Sequence, residues 1–220
     1  MNHIYFFLVG SVLASFLGLV IDRFPEQSII APSSHCDTCQ TRLAPRDLVP
    51  IISQVVNGFR CRFCKTRFPV WYAGFELVLG LLFLAGSLSI LTPSQVLLLT
   101  AGLTLAIYDI RHQEYPLMVW IVFHLILMGL AGWNPLMLIF LLIGLVAHFV
   151  PVGIGAGDFL FLASCTTIFS LTELLILIQV ASLTGILIFI IQGKKGRLAF
   201  VPCLIVGLVF LIFGKMLLLG

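Results

Sequence analysis

The sequence predicts an all-α membrane protein, a polytopic helical bundle of about eight spans with one small zinc-binding insert on the cytoplasmic side. Three observations carry that expectation. First, 60% of the 220 residues are hydrophobic and only 10% are Asp, Glu, Lys or Arg, against about 25% charged in an ordinary soluble domain. With a mean hydropathy of +1.17, a soluble globule could not cover its surface with polar groups, and a disordered chain is excluded for the same reason. Second, apolar runs of spanning length recur along the chain. Third, the charge is gathered: residues 22–70 hold seven of the twelve basic residues and four of the six cysteines. The net charge of +3 is too small to indicate a nucleic acid, so the expected solvent and partner is the lipid bilayer.

The spans follow in order. A ~30 Å hydrocarbon core requires about 20 apolar residues at helical rise. The first run, 4–21, has no Lys or Arg before it. A secretory signal would carry a basic segment there, so 1–21 is read as a retained span. The polar insert 22–70 follows. Apolar runs then return at 71–91, 94–110, 116–132, 134–150, 151–170, 173–192 and 198–218, making 71–220 one helical bundle. Thr92–Pro93, Tyr115–Pro116 and Asn134–Pro135 mark tight connections. The run at 151–170 is the least regular, because Pro151, Gly153, Gly155, Gly157 and Asp158 crowd its start. There is no repeat of fixed period and no low-complexity tract.

Basic residues in short loops stay cytoplasmic. With eight spans, the insert, Arg111 and the group Lys194, Lys195 and Arg197 share one side, which gathers eleven of the twelve basic residues; only Lys215 is opposite. Without a span at 151–170 the second basic group would lie outside. Eight spans, both termini outside and a cytoplasmic insert are therefore expected.

Within the insert, Cys36-x-x-Cys39 and Cys61-x-x-Cys64 stand 21 residues apart. Two such knuckles can place four thiolates around a tetrahedral Zn²⁺. A 49-residue insert has little core of its own, so a structural metal could supply much of its folding free energy. The other readings are two disulfides or four idle thiols, and a reducing cytoplasmic face disfavours the first. Arg60, Arg62, Lys65 and Arg67 crowd the second knuckle. They suit anionic lipid heads, or docking of an acidic or lipid-anchored partner. Cys165 and Cys203 stand alone within spans and read as small core residues.

Carboxylates inside spans are costly and mark function by default. Asp109 ends the third span in Leu105-Ala-Ile-Tyr-Asp109, and Asp158 opens the sixth after Gly153, Gly155 and Gly157. In the eight-span topology both lie toward the cytoplasm. Two carboxylates in a partly dry site divide their protons unequally. One can then activate water while the other polarises a peptide carbonyl, which is aspartic-protease chemistry. Ion or proton transport by a carboxylate pair is a second reading. A structural one, with Asp158 as a helix cap and Asp109 paired to Arg111 or His112, is the third. The glycine-rich stretch is not a dinucleotide fingerprint, because no βαβ unit surrounds it.

Taken together, these motifs resemble the type IV prepilin peptidases, leader peptidases of the GxGD membrane aspartic protease group. Gly10-Ser11 through Ser15-Phe16-Leu17 and Val20-Ile21-Asp22-Arg23-Phe24-Pro25 resemble the family's first-span signature. Ser34-His35-Cys36-x-x-Cys39, Arg46-Asp47-Leu48-Val49-Pro50 and Arg60-Cys61-Arg62-x-Cys64 resemble its zinc insert, and Tyr72 with Glu76 its second span. Asp109 with Pro116, Gly155-Ala-Gly157-Asp158-Phe159 and Phe200-Val-Pro202 resemble the two aspartate motifs and the last span.

The resemblance implies cleavage of prepilin or pseudopilin precursors at the cytoplasmic face of the cell membrane, with Asp109 and Asp158 as the dyad and Cys36, Cys39, Cys61 and Cys64 as zinc ligands. Many relatives also methylate the new N-terminus with S-adenosylmethionine, so that cofactor is implied by analogy alone. The chain has Leu160 where the family often has Lys, Gly18 where it has Asn, and Ala199-Phe-Val-Pro202 where it has a PFGP-like segment. These departures suggest a divergent branch, such as the competence-pilin enzymes of Gram-positive bacteria. Glu76 is open between a carboxylate favoured by the helix dipole at the start of a span and a contact to substrate or cofactor. Two other functions compete with the peptidase: a carboxylate-based transporter with a zinc-stabilised cap, and a non-catalytic assembly protein.

Overall fold

The computed structural model describes residues 3–150, 155–193 and 198–219. Pro151, Gly153, Lys194, Lys195 and Arg197 lie outside the described residues. The chain forms two compact units, residues 1–92 and 93–220. Among the described residues regular structure is helical, apart from two isolated β-bridges.

The first unit contains α1 (His3–Arg23), a 3₁₀ turn at Pro45–Leu48, α2 (Ile52–Val56) and α3 (Trp71–Ser87). Helices α1 and α3 pack against each other through small residues, which let backbones approach where lipid removes the hydrophobic drive. A side chain on Gly10 would meet the Leu79 carbonyl oxygen at 2.6 Å, and one on Gly80 the Ser11 Oγ at 2.6 Å. Ser11 in turn donates to the Glu76 carbonyl at 3.1 Å, and the Tyr72 hydroxyl donates to Asp22. The signature residues of the first two spans are therefore largely one another's contacts.

Between these helices the insert folds as two matching knuckles. Cys36-x-x-Cys39-x-Thr41-Arg42 reappears 25 positions later as Cys61-x-x-Cys64-x-Thr66-Arg67. The Cys36 and Cys61 N–H groups donate to the Thr41 and Thr66 carbonyls at 3.1 and 2.8 Å. Gln40 and Lys65, at equivalent positions, take φ of 55° and 61°. The bridges His35–Arg42 and Arg60–Arg67 close the two loops alike. Arg62 of the second knuckle pairs with Asp47 at 3.4 Å, so one member of the basic cluster is spent inside the insert.

The second unit contains α4 (Pro93–His112), α5 (Leu117–Ala131), α6 (Pro135–Phe149), α7 (Ala156–Cys165), α8 (Leu171–Ile191) and α9 (Val201–Leu219). Proline opens α4 and α6, and the Asn134 side chain caps α6 by accepting from the Met137 N–H at 2.9 Å. Ser170 and Glu173 form a capping box on α8. Helix α7 touches α4, α5, α6 and α9, while α4 and α8 each pack on α9. Phe161, Leu162, Ala163, Ser164 and Cys165 of α7 are buried, whereas α8 exposes Leu175, Leu183, Ile186, Leu187 and Ile191 as a lipid-facing helix does.

Each run read as a span coincides with one helix, yet lengths differ. Among the described residues three helices, His3–Arg23, Pro93–His112 and Leu171–Ile191, are long and apolar enough to cross a membrane. Helix α7 has ten residues, about 15 Å at helical rise, half of the hydrocarbon core. Gly155, in extended conformation, is its N-cap.

Candidate active site and metal centre

Asp109 and Asp158 both belong to the second unit. Asp109 lies in the last turn of α4, and its Oδ2 accepts the Val201 N–H at 3.0 Å. Val201 is the first residue of α9, so the carboxylate satisfies an N–H that the helix cannot bond itself and meets the positive end of its dipole. That gives Phe200-Val-Pro202 a physical role: it presents the start of α9 to Asp109, with Pro202 where an N–H would be unbonded anyway.

Asp158 is the third residue of α7 and is 8% exposed. Its carboxylate bonds the Gly155 backbone, which fixes it over the first turn. Helix α7 packs against both α4 and α9, and the two carboxylates lie within electrostatic range of each other. The fold thus sets the two acids singled out by the sequence on helices that pack together in the second unit.

Tyr115, which sequence reasoning treated only as part of a helix break, proves to belong here. Its ring lies on Gly157, where any side chain would overlap it, with a Cβ only 2.9 Å from the Tyr115 Cβ. The hydroxyl is buried without a hydrogen-bond partner. Burial first, then the Asp158 charge, push it well above its ordinary range, so it stays a protonated donor. Cys203, expected as a plain core residue, is buried and within range of both carboxylates. The usable sequence signal was Tyr115-Pro116 following Asp109 by six residues, but nothing local says which way the ring turns.

A second polar group steadies α7. The Trp120 indole N–H donates to Ser164 Oγ at 3.0 Å, and His124 Nδ1 lies 2.9 Å from the same oxygen. Trp120 stacks on His124 with centroids 4.6 Å apart. This cluster ties α5 to α7 two turns beyond Asp158.

In the first unit, the four cysteine sulfurs lie within 4.8 Å of one another. Cys36 and Cys64 Sγ are 3.7 Å apart, and Cys39 and Cys61 Sγ 3.9 Å. Tetrahedral Zn–S bonds of about 2.3 Å require S···S edges of roughly 3.8 Å, whereas a disulfide would bring two sulfurs to about 2.05 Å. The cysteines are free thiols at the spacing of a zinc tetrahedron, and the residues fit the ion. Without metal, the Thr66 side chain and backbone hold Cys64 down to about 6, while burial raises Cys36 to about 11.

Glu76 lies in the second turn of α3, beyond reach of the helix start, and is 4% exposed. Its Oε2 accepts the Ile51 N–H at 2.7 Å and the Gln54 Nε2–H at 2.9 Å. Ile51 takes φ of 60°, which costs a β-branched residue about 1–3 kcal/mol. Glu76 therefore clamps a strained turn at the start of α2, a role that neither sequence alternative had described.

The profile described as bacterial peptidase A24 N-terminal domain matches residues 8–90. A prepilin leader peptidase/N-methyltransferase of Myxococcus xanthus is 37% identical over 120 residues, covering 52% of this chain and 36% of that protein. One of Bacillus subtilis is 30% identical over 168 residues, covering 69% of this chain and 67% of that protein. A type 4 prepilin-like proteins leader peptide-processing enzyme of Escherichia coli is 27% identical over 241 residues, covering 90% and 88%. The chain thus spans about a third of the length of the first, two thirds of the second and most of the third. No solved structure matches. With that coverage and the resemblance already read from its motifs, the chain belongs to the prepilin leader peptidase/N-methyltransferase family.

Proposed function

We propose that the protein is a membrane aspartic endopeptidase that cleaves the leader of prepilin-like precursors at the cytoplasmic face of the cell membrane, with Asp109 and Asp158 as its dyad. The observation that supports the reading is that Asp109 and Asp158, on different helices of the second unit, lie within electrostatic range of each other. One carboxylate accepts a proton from water as the water oxygen bonds to the scissile carbonyl carbon. The protonated partner gives its proton to the carbonyl oxygen, and the buried Tyr115 hydroxyl supplies a further hydrogen bond to that oxygen. The Asp protonated by water then gives that proton to the amide nitrogen as the C–N bond breaks, and a gem-diol hydroxyl returns a proton to the other carboxylate as the new carboxylic acid forms, restoring the singly protonated dyad. A prepilin-like substrate, with a polar leader and an apolar helix, would bring its scissile bond to the membrane boundary where such a site is needed.

The eight-span topology with a cytoplasmic insert is part of the same proposal, supported by the gathering of basic residues on one side. Zinc would be held by Cys36, Cys39, Cys61 and Cys64 and would stabilise the insert without entering a chemical step. N-methylation rests on the names of the relatives and S-adenosylmethionine on the family resemblance alone, and no residue is assigned to either.

The test is processing of a co-expressed prepilin. Asp109→Asn and Asp158→Asn should each abolish cleavage while the protein still accumulates in the membrane. Full cleavage by either variant would sink the dyad. Ion flux in proteoliposomes without processed pilin would favour the transporter instead.

A further inference from the structure

Helix α2 presents an apolar face that nothing in the first unit covers. Ile52, Val55 and Val56 are 59%, 59% and 77% exposed. They stand at i, i+3 and i+4, one side of a single helical turn. Leu48 and Val49, just upstream, are also exposed. The opposite side of α2 is engaged: Ser53 is buried, and Gln54 with the Ile51 N–H is bonded to Glu76.

That bond sets the depth of the patch. Glu76 is five residues inside α3, about 7–8 Å along its axis at helical rise. On the same helix Leu77, Val78 and Leu81 are exposed, as residues against lipid would be. A turn held level with Glu76 thus stands beside the first turns of the apolar helix α3 rather than out in solution. On the same insert Arg46, Arg60, Lys65 and Arg67 are exposed, and seven basic residues stand against four acids. Exposed apolar side chains on an insert rich in exposed cations match an anionic lipid surface.

We propose that α2 is an interfacial foot: Ile52, Val55 and Val56 enter the acyl boundary of an anionic leaflet, Glu76 holds the turn at that depth, and the exposed Arg and Lys side chains of the insert meet lipid phosphates. The foot seats the insert on the bilayer. This inference is independent of the proteolytic reading.

The test uses the full chain in liposomes containing phosphatidylglycerol, with the photoreactive residue p-benzoylphenylalanine placed at position 52, 55 or 56, and at Asp37 of the first knuckle for comparison. After irradiation, mass spectrometry counts lipid adducts. At least tenfold more lipid adduct at 55 and 56 than at 37 is expected, falling several-fold when Arg60, Lys65 and Arg67 are all changed to Glu. Zinc content at the wild-type level shows that each labelled insert is folded. Equal adduct at 37 and 56, or crosslinks at 56 mainly to a co-reconstituted prepilin or a second copy of the chain, would overturn the proposal. Loss of Asp109 or Asp158 leaves the crosslinks unchanged, so failure here and failure of the peptidase reading are separate results.

Discussion

Gly157→Ala is the most informative single change near the dyad. Two opposing effects are involved. In an unhindered first helical turn, replacing Gly by Ala favours the helix by about 1 kcal/mol. At 157 the added methyl would overlap the Tyr115 ring and lie only 2.9 Å from its Cβ. Forcing an extra methyl into a packed contact costs about 1–3 kcal/mol, so the overlap outweighs the propensity gain. Because Asp158 is the next residue, the strain is relieved by moving α7 or Tyr115, and a displacement near 1 Å can cost about 100-fold in rate. Prepilin cleavage by quantitative immunoblot should therefore fall roughly 10- to 100-fold, with membrane accumulation maintained. Gly74→Ala, where a new Cβ meets nothing within 4 Å, should be silent. Thermal stability of Gly157→Ala, Tyr115→Ala and the double variant should show a coupling of about 0.5–3 kcal/mol, because removing the ring removes the closest part of the overlap and leaves only the Cβ contact. Wild-type cleavage by Gly157→Ala, or strictly additive stabilities, would refute the assignment of Gly157 as the seat of Tyr115.

Tyr115→Phe keeps the ring on Gly157 and deletes only the hydroxyl; kcat should fall roughly 10- to 100-fold with KM little moved, read from a peptide-cleavage time course. The purified protein should contain about one zinc per chain, measured by elemental analysis. Cys36→Ser should lose the metal and make residues 22–70 sensitive to trypsin, and fully active, metal-free protein would contradict a structural zinc. Glu76→Gln keeps the shape but weakens two charge-assisted hydrogen bonds, each worth about 1.5–3 kcal/mol; faster hydrogen exchange at Ile51–Val56 with intact zinc content is the expected signature.

Much of this was legible in the chain itself. Runs of apolar residues broken by Pro and Asn revealed the helices, because a helix is a local structure whose limits are set by nearby residues. The paired Cys-x-x-Cys motifs revealed the four-cysteine cluster for the same reason, since each knuckle closes on its own backbone. The length of α7 was not legible: hydropathy runs on through 151–170, while the helix occupies only Ala156–Cys165. Nor was Glu76, whose partners Ile51 and Gln54 lie 25 and 22 positions away.

The sequence by itself determined that this is a helical membrane protein with a four-thiolate insert, and it singled out Asp109 and Asp158, because charge is too costly in lipid to be placed there idly. Only the tertiary structure decided what surrounds them. Val201 bonds Asp109 from 92 positions away, Tyr115 lies on Gly157 across a helix boundary, and Ser164 joins Trp120 and His124. Such contacts depend on how helices turn against one another. That rotation is set by the packing of all of them together, through small residues and buried polar bonds, and no local stretch of chain contains it.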